Sequence, residues 1–135
     1  MVEADGYILR IATKKWVDQV FNLAIYYTGA RRKWKAGQTI LFIHKTKIGD
    51  AIIGYAIIEN IYEKDELSEE ERRECERQGW KKAIEFKYII QFEKALPLKE
   101  TFLKDSKLRG RYLHSLPLNK QQLDAILSQA ESLQS

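Results

Sequence analysis

Residues 39–58, TILFIHKTKIGDAIIGYAII, decide the fold. Residues 39–44 (TILFIH) and 51–58 (AIIGYAII) are apolar, β-branched runs, and the six residues between them include Gly49 and Asp50. Two such runs around a glycine-containing loop read as a β-hairpin. Hydrophobicity is nearly continuous along both runs, so the strands are expected to be covered on both faces or closed in a barrel. Gly54 interrupts the second run, which predicts a bulge or bend.

Outward from this hairpin the chain keeps alternating between strand and helix. Residues 7–12 (YILRIA) predict a first short strand. Thr13 follows as a candidate N-cap. Trp16, Val17, Val20, Phe21 and Ala24 then recur at helical spacing, in a helix expected to run to about residues 26–28, before Gly29. A basic link, Ala30-Arg31-Arg32-Lys33-Trp34-Lys35-Ala36-Gly37, leads back to the hairpin.

Downstream, Ser68 with Glu71 predicts a capping box and Gly79 a helix stop. The helix between them is polar on every side and is expected to project into solvent, with Cys75 structural. Residues 82–92 put Ile84, Phe86, Tyr88, Ile90 and Phe92 at alternate positions, the signature of a strand with one buried face, and Pro97 ends it. A short helix is expected near residues 99–103 and a last short strand over 110–115. Asn119, with Gln122 three residues on, caps a final helix buried through Leu123, Ile126, Leu127 and Ala130. No repeat or linker breaks this order, so residues 1–135 read as a single domain.

The 135 residues are 44% hydrophobic and 31% charged, the composition of a soluble globule. No apolar run approaches the roughly 20 residues a membrane span needs. One cysteine excludes an internal disulfide and a cysteine-rich zinc site. With an acidic start that lacks a signal-peptide pattern, this places the expected location in the cytoplasm. The net charge of +4 hides an uneven distribution: residues 1–58 carry +5, residues 59–80 carry −5 and residues 81–135 carry +4. An acidic segment therefore masks a basic body, and basic surfaces attract nucleic-acid phosphates.

Catalytic signatures fail in turn. The seven glycines are dispersed, so no phosphate loop forms, and neither a zinc-protease helix nor a serine elbow is present. No metal or cofactor site is visible, and the chain reads as a binding module rather than an enzyme. An RNA-processing enzyme would need a clustered acid–base set, and His44, Lys45 and Asp50 form no known motif. His44 reads as structural, and His114 as a weak ligand candidate. What remains is aromatic residues interleaved with basic ones, the composition that grips single-stranded nucleic acid by base stacking and phosphate pairing. Trp16 lies on the apolar stripe, which equally suits the core. Trp34, between two lysines, is harder to bury and so more suspicious. Arg31, Arg32, Lys45 and Arg111 are the candidate phosphate or base-edge contacts, and Trp16 with Trp34 or Tyr112 the candidate stacking walls.

The element order, with Trp16 near a helix start, Lys35-Ala36-Gly37-Gln38-Thr39-Ile40-Leu41-Phe42-Ile43, Ile52-Ile53-Gly54, and Gly110 followed by Leu116-Pro117, resembles the EVE branch of the PUA-like superfamily, which also holds YTH and ASCH domains. Gln38 stands where that family usually has an acid, and His114 near where it usually has an arginine. The resemblance implies an α+β fold, a small, partly open β-barrel with flanking helices. It also implies a pocket for a flipped and sometimes modified base, with RNA ahead of DNA as the partner. The alternative is a domain of the same fold that holds a small molecule or a protein and no nucleic acid.

Overall fold

A computed structural model describes residues 4–105 and 113–135. Among these residues six strands form one mixed sheet. They are β1 (Gly6–Arg10), β2 (Ile25–Thr28), β3 (Thr39–Thr46), β4 (Gly49–Glu63), β5 (Lys82–Pro97) and β6 (Pro117–Leu118), in the spatial order β2-β5-β4-β3-β1-β6. Helices α1 (Lys14–Leu23), α2 (Glu69–Gln78) and α3 (Lys120–Gln134) flank it. β1 runs parallel to β3, and every other pairing is antiparallel.

The hairpin of residues 39–58 is the centre of this sheet, as its composition predicts. Alternation sends Ile40 and Phe42 to one face, where they meet Val17 and Val20 of α1 together with Leu9, Ile84 and Phe86. It sends Leu41 and Ile43 to the other, against Leu123, Ile126 and Ala130 of α3. Both faces are covered, so both parities must be apolar, and the continuous hydrophobic run follows. Phe42 is fully buried between the edges of Phe21 and Phe86, each 5.6 Å away. Burying a side chain of that size contributes about 1.5–3 kcal/mol.

The register slips where Gly54 predicts a bulge: Phe42 faces Gly54 but Ile43 faces Ile52, leaving Ile53 as the extra residue. At Gly54 the backbone of β5 comes so close that a Cβ would lie 2.3 Å from the Ile90 carbonyl oxygen and 2.8 Å from the Phe21 ring.

Three expectations change. The first helix stops at Leu23, because Ala24 adopts the left-handed conformation (φ 55°) and its N–H closes onto the Val20 carbonyl. Ile25-Tyr26-Tyr27-Thr28, β-branched and aromatic, then makes an edge strand on β5 instead of extending the helix. The alternation of β5 holds only to Phe86. A bulge at Lys87 turns Tyr88 and Ile90 outward, where both are exposed, and a one-residue slip is enough to do so. Residues 113–115 are a turn rather than a strand, and the chain pairs with β1 only at Pro117–Leu118.

The acidic helix α2 is capped by Ser68 and closed by Gly79 as expected. It does not simply project, however. Cys75 is buried, and the Tyr27 hydroxyl donates to Glu71 at 2.8 Å, which fixes one side of α2 on β2. No helix among the described residues is long and apolar enough to cross a membrane.

The edge strands β2 and β6 do not pair, yet the sheet curls until they nearly meet. Tyr26 on β2 lies 6.4 Å from His114, just before β6, ring centre to ring centre. Arg32 Nε donates to Ser115 Oγ across the same gap. The sheet is therefore a partly open barrel with a seam, and the seam is where the candidate site lies.

Candidate nucleic-acid interface

At the seam five described segments converge on one cavity of about 390 Å³: the end of β1 (Arg10, Ile11), α1 (Trp16, Gln19, Val20), β2 (Ile25, Tyr26, Tyr27), the end of α2 with the residue after its cap (Gln78, Trp80) and the turn at His114. That volume falls in the range of small-ligand pockets, roughly 300–1,000 Å³. Helical geometry places Trp16, Gln19 and Val20 on one face of α1, one turn apart. Gly79 ends α2 and delivers Trp80 to the cavity wall.

The wall is aromatic. Trp80 stacks on Tyr27 (5.3 Å, 14° between planes) and meets the edge of Trp16 at 5.4 Å. Lys15 Nζ sits 5.0 Å from the centre of the Trp16 ring. Burial pushes the Tyr26 hydroxyl pKa up to about 12, so it stays protonated. Burial also raises Tyr27, helped by its hydrogen bond to Glu71, whose carboxyl is held below its usual range in return.

The polar end is formed by Arg10 and His114. His114 Nδ1 accepts the Arg10 backbone N–H at 3.0 Å, which leaves the ring proton on Nε2. Burial lowers the His114 pKa, and the positive charges of Arg10 and Arg32 lower it further. The Arg10 guanidinium contacts Asp50 through Nη2 at 3.3 Å, while its buried Nε has no acceptor among the described residues. A histidine whose folded pKa lies below its unfolded value stabilises fully above about pH 6.5 and less as pH falls below that. The stability of this protein is therefore expected to decline from pH 7 to pH 5. His114→Asn should flatten that decline, and urea midpoints across the range would measure it. An unchanged slope in the variant would assign the pH response elsewhere.

Beside the cavity runs a second, wider depression of about 700 Å³. Arg31, Arg32 and Lys33 of the basic link line one side, and Lys81 and Lys82 the other. Among the described residues its one carboxylate, Glu63, pairs with Lys82 at 3.3 Å. No residue lines both, but the two adjoin along the chain, since Trp80 lines the cavity and Lys81 the groove.

Among the residues expected from sequence, the fold brings Trp16 to the cavity and Arg31 and Arg32 to the adjoining groove. Trp34 is corrected. It is only 7% exposed, packs its ring against Tyr7 at 4.7 Å and donates Nε1–H to the Ala30 carbonyl, so no face is open for stacking. Its flanking lysines point to solvent while the chain turns the indole inward. Lys45 lies elsewhere. His44 reaches back to the Ile11 carbonyl (2.7 Å), as a structural histidine would, and strand alternation turns Lys45 away, exposed and outside both cavity and groove. Arg111 and Tyr112 lie outside the described residues. Sequence reasoning misses Arg10, Gln19, Gln78 and Trp80. Only Trp80 carries a signal, the Trp-Lys-Lys run that follows the acidic helix. Among the described residues no cluster of three or more His, Cys, Asp or Glu could hold a metal.

The architecture is that of the PUA-like fold. Among solved structures, an ASCH protein from Zymomonas mobilis superposes with a TM-score of 0.64 at 13% identity, over 90% of this chain and 92% of that one. A hypothetical protein from Leishmania major gives a TM-score of 0.63 at 17% identity, over 99% and 98%. The Pho92 YTH domain in complex with m6A gives 0.55 at 11% identity, over 97% and 87%. At these identities the likeness shows the fold alone, and the named domains among these structures are of the ASCH and YTH branches. No protein-family model matches the chain, and no curated protein matches it in sequence.

Proposed function

We propose that this domain binds single-stranded nucleic acid, RNA ahead of DNA, drawing one base into the seam cavity while neighbouring phosphates follow the basic groove. The observation that carries this reading is the adjacency of an aromatic-walled cavity to a groove lined, among the described residues, by five cations and one already paired carboxylate. Flat, polarisable rings suit the faces of a base, and fixed cations suit its backbone. A YTH domain of the same fold in complex with m6A supports a nucleotide as occupant. Within the superfamily the short sequence motifs favour the EVE branch, and a modified base falls within what such a cavity admits. The reading is of a binding module and not an enzyme.

The second reading, a small ligand without nucleic acid, draws on the size and partial enclosure of the cavity. Salt separates the two. Titration of tryptophan fluorescence with short single-stranded RNA and DNA should show saturable quenching that fades as salt rises. Removing two groove cations together, Arg31→Ala with Lys81→Ala, should reduce the slope of log affinity against log salt by roughly 0.7 for each phosphate no longer neutralised. Binding that ignores salt would favour the small-ligand reading. No response to any oligonucleotide at low salt would end the nucleic-acid one.

A further inference from the structure

Strand β5 is longer than its outer neighbour. β2 pairs with it only from Lys82 to Glu85, and the Phe86 N–H then closes onto the Ala24 carbonyl at 2.9 Å. At the far end the side chain of Gln134 takes the place of a strand: it accepts the Lys94 N–H at 3.0 Å and donates to the Lys94 carbonyl at 2.7 Å. Between these two closures, residues 87–93 (KYIIQFE) lie beside β4 on one side. On the other side, among the described residues, no strand pairs with them and no side chain hydrogen-bonds to them.

An open edge is a template for another strand, and proteins commonly blunt one with charge. This edge is apolar at its centre. Tyr88 and Ile90 are exposed, and with Phe92 they continue the aromatic face begun by Tyr55, whose ring centre lies 6.4 Å from that of Tyr88 and 5.9 Å from that of Phe92. Lys87 and Glu93 at its two ends are exposed charges, and neither has an ion-pair partner among the described residues.

We infer that a second copy of this chain docks on this edge, β5 pairing antiparallel with its counterpart about a two-fold axis through Ile90. Under such an axis each residue faces the one equally far beyond the centre. The open stretch is self-complementary in that arrangement. Lys87 faces Glu93 of the second copy, Tyr88 faces Phe92, Ile89 faces Gln91 and Ile90 faces its own counterpart. Opposite charges and aromatic pairs directly across a ladder are favourable, and like charges are not. Alternation puts Tyr88, Ile90 and Phe92 on one face of the joined sheet and the charge pairs on the other. A lone edge lysine deters pairing, but here a glutamate meets it. The closures at Phe86 and Lys94 leave Ile90 at the midpoint, so the open length and the charge pattern select the same register. None of residues 87–93 lines the cavity or the groove, so the inference stands apart from the nucleic-acid reading.

The test is sedimentation of the whole protein from about 1 to about 100 μM, where a reversible monomer–dimer equilibrium is expected. Lys87→Glu and Glu93→Lys each set like charges opposite one another, and each is expected to weaken the dimer about tenfold. Both changes in one chain should restore it to within about twofold of the original, because the facing charges are again opposite. Within one chain the two positions are about 20 Å apart along the strand, too far to compensate each other, so the rescue reads contact between copies. Ile90→Cys should cross-link to its own counterpart under mild oxidation, whereas Lys87→Cys, about 20 Å from its counterpart in this register, should not.

A protein that stays monomeric at about 100 μM overturns the inference. So does a dimer that the single charge reversals leave unchanged, or weaken without recovery in the double variant. An Ile90→Cys dimer that fails to cross-link overturns it as well.

Discussion

Gly54→Ala is expected to destabilise the domain by roughly 3 kcal/mol, a large fraction of the stability of a chain this size. The cause is space, not conformation. A methyl group there would sit 2.3 Å from the Ile90 carbonyl oxygen and under 3 Å from two atoms of the Phe21 ring. The carbonyl belongs to the β4–β5 ladder and cannot retreat without opening it, and Phe21 is held against Phe42. Gly37→Ala provides the contrast. Its φ is 91° and nothing lies within 4 Å of an added Cβ, so only the backbone conformation is penalised, by about 1 kcal/mol. Urea unfolding of both variants measures the difference. A Gly54→Ala midpoint no lower than that of Gly37→Ala would mean that β4 and β5 leave room for a methyl group where they cross.

Trp80→Ala is expected to weaken short single-stranded RNA by about 10- to 100-fold, the loss of one stacking ring at about 1–3 kcal/mol. Trp80 lies between Tyr27, on which it stacks, and Trp16, which it meets edge-on, so its removal dismantles two sides of the wall. Trp34→Phe is the matched control. That indole is buried against Tyr7, so its loss should cost the bond to the Ala30 carbonyl while leaving RNA affinity within about twofold. Fluorescence anisotropy of a labelled oligonucleotide reads both variants without relying on the rings being removed. Equal losses in the two variants, or a loss only in Trp34→Phe, would move the stacking site to the basic link.

The same residues mark where sequence reading succeeds and where it stops. The Gly54 bulge is legible, because a β-branched run tolerates a glycine chiefly where the strand bends or another backbone comes close. The caps at Thr13, Ser68 and Asn119 are legible as well, since each acts within one helical turn of its own position. Ile25–Thr28 is not, because its residues continue the apolar content of α1. Only the left-handed turn at Ala24 and the waiting edge of β5 make it a strand.

By itself, then, the sequence determined the core. Residues 39–58 can be apolar at both parities only if both faces are covered, and that requirement is written in composition and period. The tertiary structure alone decided the site. The cavity draws on Arg10, Trp16, Tyr26, Trp80 and His114, which are up to 104 residues apart and meet only because the curled sheet brings its two edges together. Exposure also depends on what packs nearby, so of Trp34 and Trp80, both tryptophans beside lysines, the one expected to stack is buried and the other lines the cavity. Local chemistry fixes what a residue can do, but which residues share a space depends on long-range packing, and no window of the chain records it.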